Sequence, residues 1–153
     1  MSINKTLEKL GIVLPEPVTP IANYVPYVKS GHRIFISGQL PISHGEVKFV
    51  GKVGDEISVE DAQKAARICG INILAILNSA LNGNLDHVKK CVKLGVFVNA
   101  VADFENHPAV ANGVSDLMVE VFGDKGKHSR FAMGAGSLPR GVAVEVDAIF
   151  EIE

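Results

Sequence analysis

Residues 58–101 read SVEDAQKAARICGINILAILNSALNGNLDHVKKCVKLGVFVNAV, and two periodicities meet inside them. Ala62, Ala65, Ala66, Cys69, Ile73, Ile76, Leu77 and Ala80 recur at helical spacing, which lines one face of an α-helix with apolar side chains. Ser58, with Asp61 three residues on, has the chemistry of an N-cap, because its hydroxyl can accept an orphan N–H of the first turn. Gly83 ends the pattern. From Val88 to Val101, Val, Leu and Phe dominate, which predicts a β-strand with a lysine-rich, edge-like first part at Lys89, Lys90 and Lys93. A long amphipathic helix followed by an apolar strand calls for a sheet with helices on it.

The flanking sequence supplies the rest of that sheet. Pro108 opens a second helix with Val110, Val114, Leu117, Met118, Val121 and Phe122 on one face and Gly123 at its end. Residues 129–137 and 142–152 read as two strands, expected to pair as a hairpin through Leu138, Pro139, Arg140 and Gly141. Towards the N-terminus, Ile3, Leu7 and Leu10 predict a short helix, and Pro15, Pro17 and Pro20 an extended linker. Two strands split by Ser30-Gly31 come next, then a Gly-rich loop over 43–57 with a small edge strand around 47–50. The order helix, β, β, long helix, β, helix, β, β predicts an α+β two-layer sandwich, a mixed sheet with two main helices on one face. One domain is expected over 1–153, with 1–20 as helix and Pro-rich linker.

Composition narrows the function classes. A formal net charge of -2 supplies no basic field for nucleic acid or a membrane surface. No apolar run approaches the ~20 residues of a transmembrane helix, and the polar start MSINKTLEKLGI predicts no secretory signal. Cys69 and Cys91 fit no CxxC or metal spacing, so reduced thiols and a cytoplasmic protein are expected. His32, His44, His87, His107 and His128 make no i, i+4 pair, so no metal is expected; His128 reads as a plain loop histidine, and it is the one of the five close enough to Arg130 to reach a site there. Ser37 has no G-x-S-x-G turn around it.

The candidate chemistry lies in 128–153, HSRFAMGAGSLPRGVAVEVDAIFEIE. Strand alternation puts Val142, Val144, Val146, Ala148, Phe150 and Ile152 on one face and Glu145, Asp147 and Ile149 on the other. With Ser137 opposite Val142, Phe131, Met133 and Ala135 join the core face. Arg130, Ala132, Gly134 and Gly136 then join Glu145 and Asp147. Such a stripe of small residues leaves room for a second surface, most simply a subunit interface. An arginine at its rim can grip a carboxylate at two points. The plain alternative is a solvated arginine at a strand end.

SGQLP at 37–41, SR at 129–130, LP at 138–139 and VEV at 144–146 resemble the RidA/YjgF family, also called endoribonuclease L-PSP, over about residues 20–153. The resemblance implies a chorismate-mutase-like fold and a homotrimer with clefts between subunits. For active members it implies hydrolysis of enamines and imines derived from amino acids, as a 2-iminoacid deaminase releasing a 2-keto acid and ammonia without a cofactor. It assigns Arg130 to the substrate carboxylate and Glu145 to the attacking water, with Tyr24, Ser37 and Asn112 lining the cleft. These residue types suit the reaction: a protonated imine carbon is already electrophilic and requires only orientation and a water held by a base. Ala132 stands where well-studied members carry a cysteine, so no thiol chemistry is expected. The first 20 residues and a longer stretch before Asn112 mark a divergent branch. A non-catalytic trimer that binds small carboxylates or a protein partner is the alternative, and retention of Glu145 favours the hydrolase. A ribonuclease is disfavoured by the charge balance.

Overall fold

Ser58 caps helix α2 (Val59–Ala80) as its sequence requires, its Oγ accepting the Asp61 N–H at 3.1 Å. In the computed structural model, which describes residues 1–17, 20 and 22–153, the α2 stripe from Ala62 to Leu77 is buried. Helix α3 (His107–Phe122) lies beside it, with Pro108 in its first turn and Gly123 beyond its end at φ 63°. Both helices cover one face of a five-stranded sheet. A short N-terminal helix, α1 (Ile3–Lys9), buries Leu7 and docks on α3; the Ile3 N–H donates to Asp86 Oδ1 at 2.8 Å.

The sheet consists of β1 (Tyr27–Ser30), β2 (Arg33–Gln39), β5 (Val88–Asn99), β6 (Ser129–Ala135) and β7 (Val144–Ile152). Two further short strands, β3 (Ile42–Ser43) and β4 (Glu46–Val47), make a separate hairpin in the Gly-rich loop. The spatial order is β1-β2-β7-β5-β6. Neighbours run antiparallel except β5 and β6, which are parallel. The fold is therefore the mixed-sheet α+β sandwich expected, and no helix among the described residues is long and apolar enough to cross a membrane.

The expected hairpin between the last two strands does not form. β5 lies between β6 and β7, and residues 136–143 carry the chain past its end through a 3-10 turn at Pro139–Gly141. The reason is α3 itself: a helix between two strands is the connection that a parallel pair requires, so β6 returns alongside β5. This changes the faces of β6. Leu94 pairs with Arg130, Val96 with Ala132 and Val98 with Gly134, and the same three β5 residues pair with Ala148, Val146 and Val144 of the core. Arg130, Ala132 and Gly134 thus lie on the helix-covered side. Phe131 and Met133 share the open side with Glu145 and Asp147, the reverse of the expectation.

Two of the small residues of this stripe have close neighbours in their own chain. A Cβ on Gly134 would come within 3.1 Å of His107 Nε2 on α3, and Ala132 packs on the core. Ala132 and Gly134 thus lie towards α3, while Gly136, the next of the stripe, has open space where a Cβ would stand. The alternation of β7 is as expected, with Val144, Val146, Ala148, Phe150 and Ile152 buried.

The two main helices approach closely at Gly113, where a Cβ would overlap the Gln63 carbonyl of α2. Gln63 Nε2 also donates to the Ala109 carbonyl at 2.8 Å. Gly113→Ala should lower the denaturation midpoint, because overpacking at backbone costs about 1–3 kcal/mol and exceeds the helix-propensity gain of about 1 kcal/mol. An unchanged or higher midpoint would contradict this close approach.

Candidate functional site

Arg130 stands on the edge strand and reaches α3. Its Nη1 donates to Asn112 Oδ1 and Ser115 Oγ, both at 2.9 Å, and Nη2 donates to the Pro108 carbonyl at 3.4 Å. Positions 108, 112 and 115 form one stripe of the helix at i, i+4, i+7, so α3 offers three acceptors in a row. All three are neutral, and no acidic side chain pairs with Arg130 among the described residues. A guanidinium has five N–H donors. Both Nη1 hydrogens are taken, which leaves the Nε–H and an Nη2 N–H on one edge, the pair that matches the two oxygens of a carboxylate.

Glu145 lies on the other side of the sheet, half-buried beside Gly38. β2 bulges between Ile36 and Gln39, and the bulge brings the Gly38 backbone against the Glu145 carboxyl. A Cβ at position 38 would overlap Glu145 Oε2, so a larger residue in SGQ would push the carboxyl aside. Buried Gln39 holds the bulge, its Nε2 donating to the carbonyls of Ser37 at 3.0 Å and Gly38 at 3.2 Å. Ser37 Oγ donates to the Val25 carbonyl at 2.7 Å and so ties the segment carrying Tyr24, 56% exposed, to the same corner. Burial pushes the Glu145 carboxyl above its ordinary pKa, and nearby Asp147 adds to the shift. Asp147 is itself raised by burial, against the lowering effects of the Gly95 N–H and Lys93.

Five expected site residues therefore fall into two groups. Arg130 and Asn112 meet on the α3 side, with Ala132 next along that face. Glu145 and Ser37 flank the bulge on the open side, with Tyr24 near them. Glu145 is level with Phe97 and Met133, and Arg130 is three residues before Met133 and two strands over. At strand spacings near 4.8 Å and rises near 3.3 Å, that is roughly 10 Å in each direction, with the sheet between them. One chain does not bring the two groups onto one small molecule. The open face around Glu145 is apolar: Val28, Phe35 and Met133 are 53%, 42% and 48% exposed, and Phe97 and Phe131 stack edge to face.

Ser115 escaped sequence reasoning, since a serine on a helix reads as an ordinary surface residue. Its position three residues after Asn112 was the available signal. Behind it, His128 Nε2 lies 2.8 Å from Ser115 Oγ. Among the described residues no cluster of His, Cys, Asp or Glu is arranged to hold a metal ion.

The family described as "YjgF/chorismate_mutase-like, putative endoribonuclease" matches residues 4–150. The chain belongs to that family. It is 46% identical to protein TCP17 of Trypanosoma cruzi over 147 residues, which is 95% of this chain and 91% of the relative. A crystal structure of a protein "with unknown function" from Agrobacterium tumefaciens superposes with a TM-score of 0.93 at 43% identity, covering 99% of this chain and 92% of that one. A "putative endoribonuclease" from Shewanella oneidensis gives a TM-score of 0.95 at 30% identity, covering 99% and 100%. The YjgF match begins at residue 4 and takes in all of α1 but Ile3, so it extends further towards the N-terminus than the likeness expected from about residue 20.

A carboxyl whose folded pKa is raised opposes folding once ionised, so the penalty is absent below the unfolded pKa and complete above the folded one. Glu145→Gln should therefore melt higher than the natural protein near about pH 8, with the difference shrinking towards about pH 4. A difference constant across that range would contradict burial as the cause.

Proposed function

We propose that this protein hydrolyses small imines or enamines that carry a carboxylate, releasing a 2-keto acid and ammonia in clefts between copies of the chain, as a homotrimer. The observation that carries the reading is the unpaired Nε–Nη2 edge of Arg130, a cation held by three neutral acceptors with no acid to neutralise it among the described residues. Arg130 anchors the substrate carboxylate and so fixes the imine carbon relative to the protein. Glu145, supplied by the neighbouring copy and made more basic by burial, holds the attacking water and accepts its proton. The water oxygen bonds to the carbon and its first proton passes by way of Glu145 to the nitrogen; the hydroxyl of the resulting carbinolamine then gives its proton to Glu145 as the C–N bond breaks, leaving the keto acid and ammonia. Tyr24 and Ser37 border the cleft from the Glu145 side.

Two observations support a cleft between copies. Arg130 and Glu145 face opposite sides of the sheet, and the open face carries exposed Val28, Phe35 and Met133 that a second copy would cover. The buried, unpaired thiols of Cys69 and Cys91 are consistent with a cytoplasmic setting. A carboxylate-binding trimer without turnover is the second reading; Ala132, which removes a thiol from the Arg130 side, favours it.

Keto-acid release from freshly generated amino-acid imines tests the proposal. Arg130→Ala should raise KM about ten-fold or more, as expected for loss of a charge-assisted hydrogen-bond pair. Glu145→Gln should lower kcat about a hundred-fold with KM little changed. Turnover by Glu145→Gln equal to the natural protein would place the base elsewhere. No turnover by the natural protein, with carboxylate binding intact, would leave the second reading.

A further inference from the structure

The orientation of Arg130 is backed by a chain of polar groups behind α3. Ser115 Oγ lies 2.9 Å from Arg130 Nη1 and 2.8 Å from His128 Nε2, and His128 Nδ1 lies 2.6 Å from the Gly126 carbonyl oxygen. Donor and acceptor roles follow link by link. A carbonyl oxygen only accepts, so His128 Nδ1 carries a proton. In the neutral ring Nε2 then offers only a lone pair, so the Ser115 hydroxyl donates to it. Arg130 only donates, so the Ser115 oxygen accepts. Each link polarises the next, which makes Ser115 a better acceptor than a solvated hydroxyl.

The far end of the chain is anchored by close packing. A Cβ on Gly126 would overlap the Met118 carbonyl of α3. Its absence lets the 3-10 turn Gly123–Gly126 lie against the helix and aim its last carbonyl at His128. Asn112 takes the other Nη1 hydrogen, and its amide must present oxygen because a guanidinium cannot accept. The Nη1 end is thus pinned by two side chains, and the plane of the guanidinium is set before any ligand arrives. Ordering a long side chain in advance removes that entropy cost from the binding step.

We propose that Ser115 and His128 are positioning residues, a hydrogen-bonded chain from the Gly126 carbonyl to Arg130 that turns its Nε–Nη2 edge towards the incoming carboxylate. This rests on the carboxylate-anchor reading of Arg130, and the experiment separates the two. Calorimetric titration with 2-ketobutyrate would be run on the natural protein, Arg130→Ala, Ser115→Ala and Ser115→Thr, beside 15N spectra of the histidine rings. Ser115→Ala should weaken binding about five- to ten-fold through loss of one hydrogen bond to a charged group. Ser115→Thr, which restores the hydroxyl, should recover most of that affinity. In the natural protein neutral His128 should carry its proton on Nδ1; Ser115→Ala should keep that tautomer, which the Gly126 carbonyl holds, and shift the Nε2 resonance through loss of the Ser115 hydrogen bond. Natural affinity in Ser115→Ala, or equal losses in the Ala and Thr variants, would overturn the positioning role while Arg130 remained the anchor. Equal affinities in Arg130→Ala and the natural protein would overturn the anchor itself, and the positioning role with it. Should Ser115→Ala not fold, the ring spectrum of the natural protein decides: a proton on Nε2 overturns the chain.

Discussion

The parallel hydrogen bonds between β5 and β6 set the direction of every side chain in the candidate site. A slip of one residue would turn Arg130 to the open face and Phe131 into α3. The register is held from both sides of the sheet. On the helix side Gly134 and Ala132 admit α3 closely, and on the open side Gly95 makes room for Phe131 and the Asp147 carboxyl. Small residues on both faces of one strand pair therefore hold one register, and that register delivers Arg130 to its three acceptors.

Function in this scaffold sets groups against stability. Among the described residues Arg130 is a cation with neutral partners only, and half-buried Glu145 is a carboxyl raised by burial. Groups held at a cost and not neutralised by their own chain are a mark of functional sites. The core gives them a rigid base: α2, α3 and the inner face of β7 bury a continuous apolar layer. The bulge of β2 then supplies the one backbone irregularity that the Glu145 side requires.

The helices and β7 were legible because their signals are strong and local: a capping serine, proline at a helix start, glycine at its end and strict alternation from Val144 to Ile152. The place of β6 was not. Alternation tells which residues of a strand share a face, and neither which face meets the helices nor which strand lies alongside. In SRFAMGAG the small residues fit either side, so the hairpin register through Leu138–Gly141 was the simplest pairing and the wrong one. The helix between β5 and β6 held the missing information, because it makes their pairing parallel. Asn112 was legible as a site residue on the strength of the family resemblance. Ser115 was not, since nothing local distinguishes a serine that accepts from an arginine from one that faces water. His128, weighed as a loop residue, acquires a role only through Ser115.

The central claim is that Arg130 of one copy and Glu145 of another complete each site, because one chain holds them on opposite faces of its sheet. Mixing Arg130→Ala and Glu145→Gln proteins, each assayed below KM where its own turnover is impaired about ten-fold or more, and refolding them together tests it directly. Mixed assemblies would contain sites with an intact arginine from one copy and an intact glutamate from the next, so keto-acid release should return to a sizeable fraction of the natural rate. Mixed assemblies that form, as shown by mass spectrometry, and turn over no faster than the two variants kept apart would mean that both residues serve the same chain's site, and the account would be wrong.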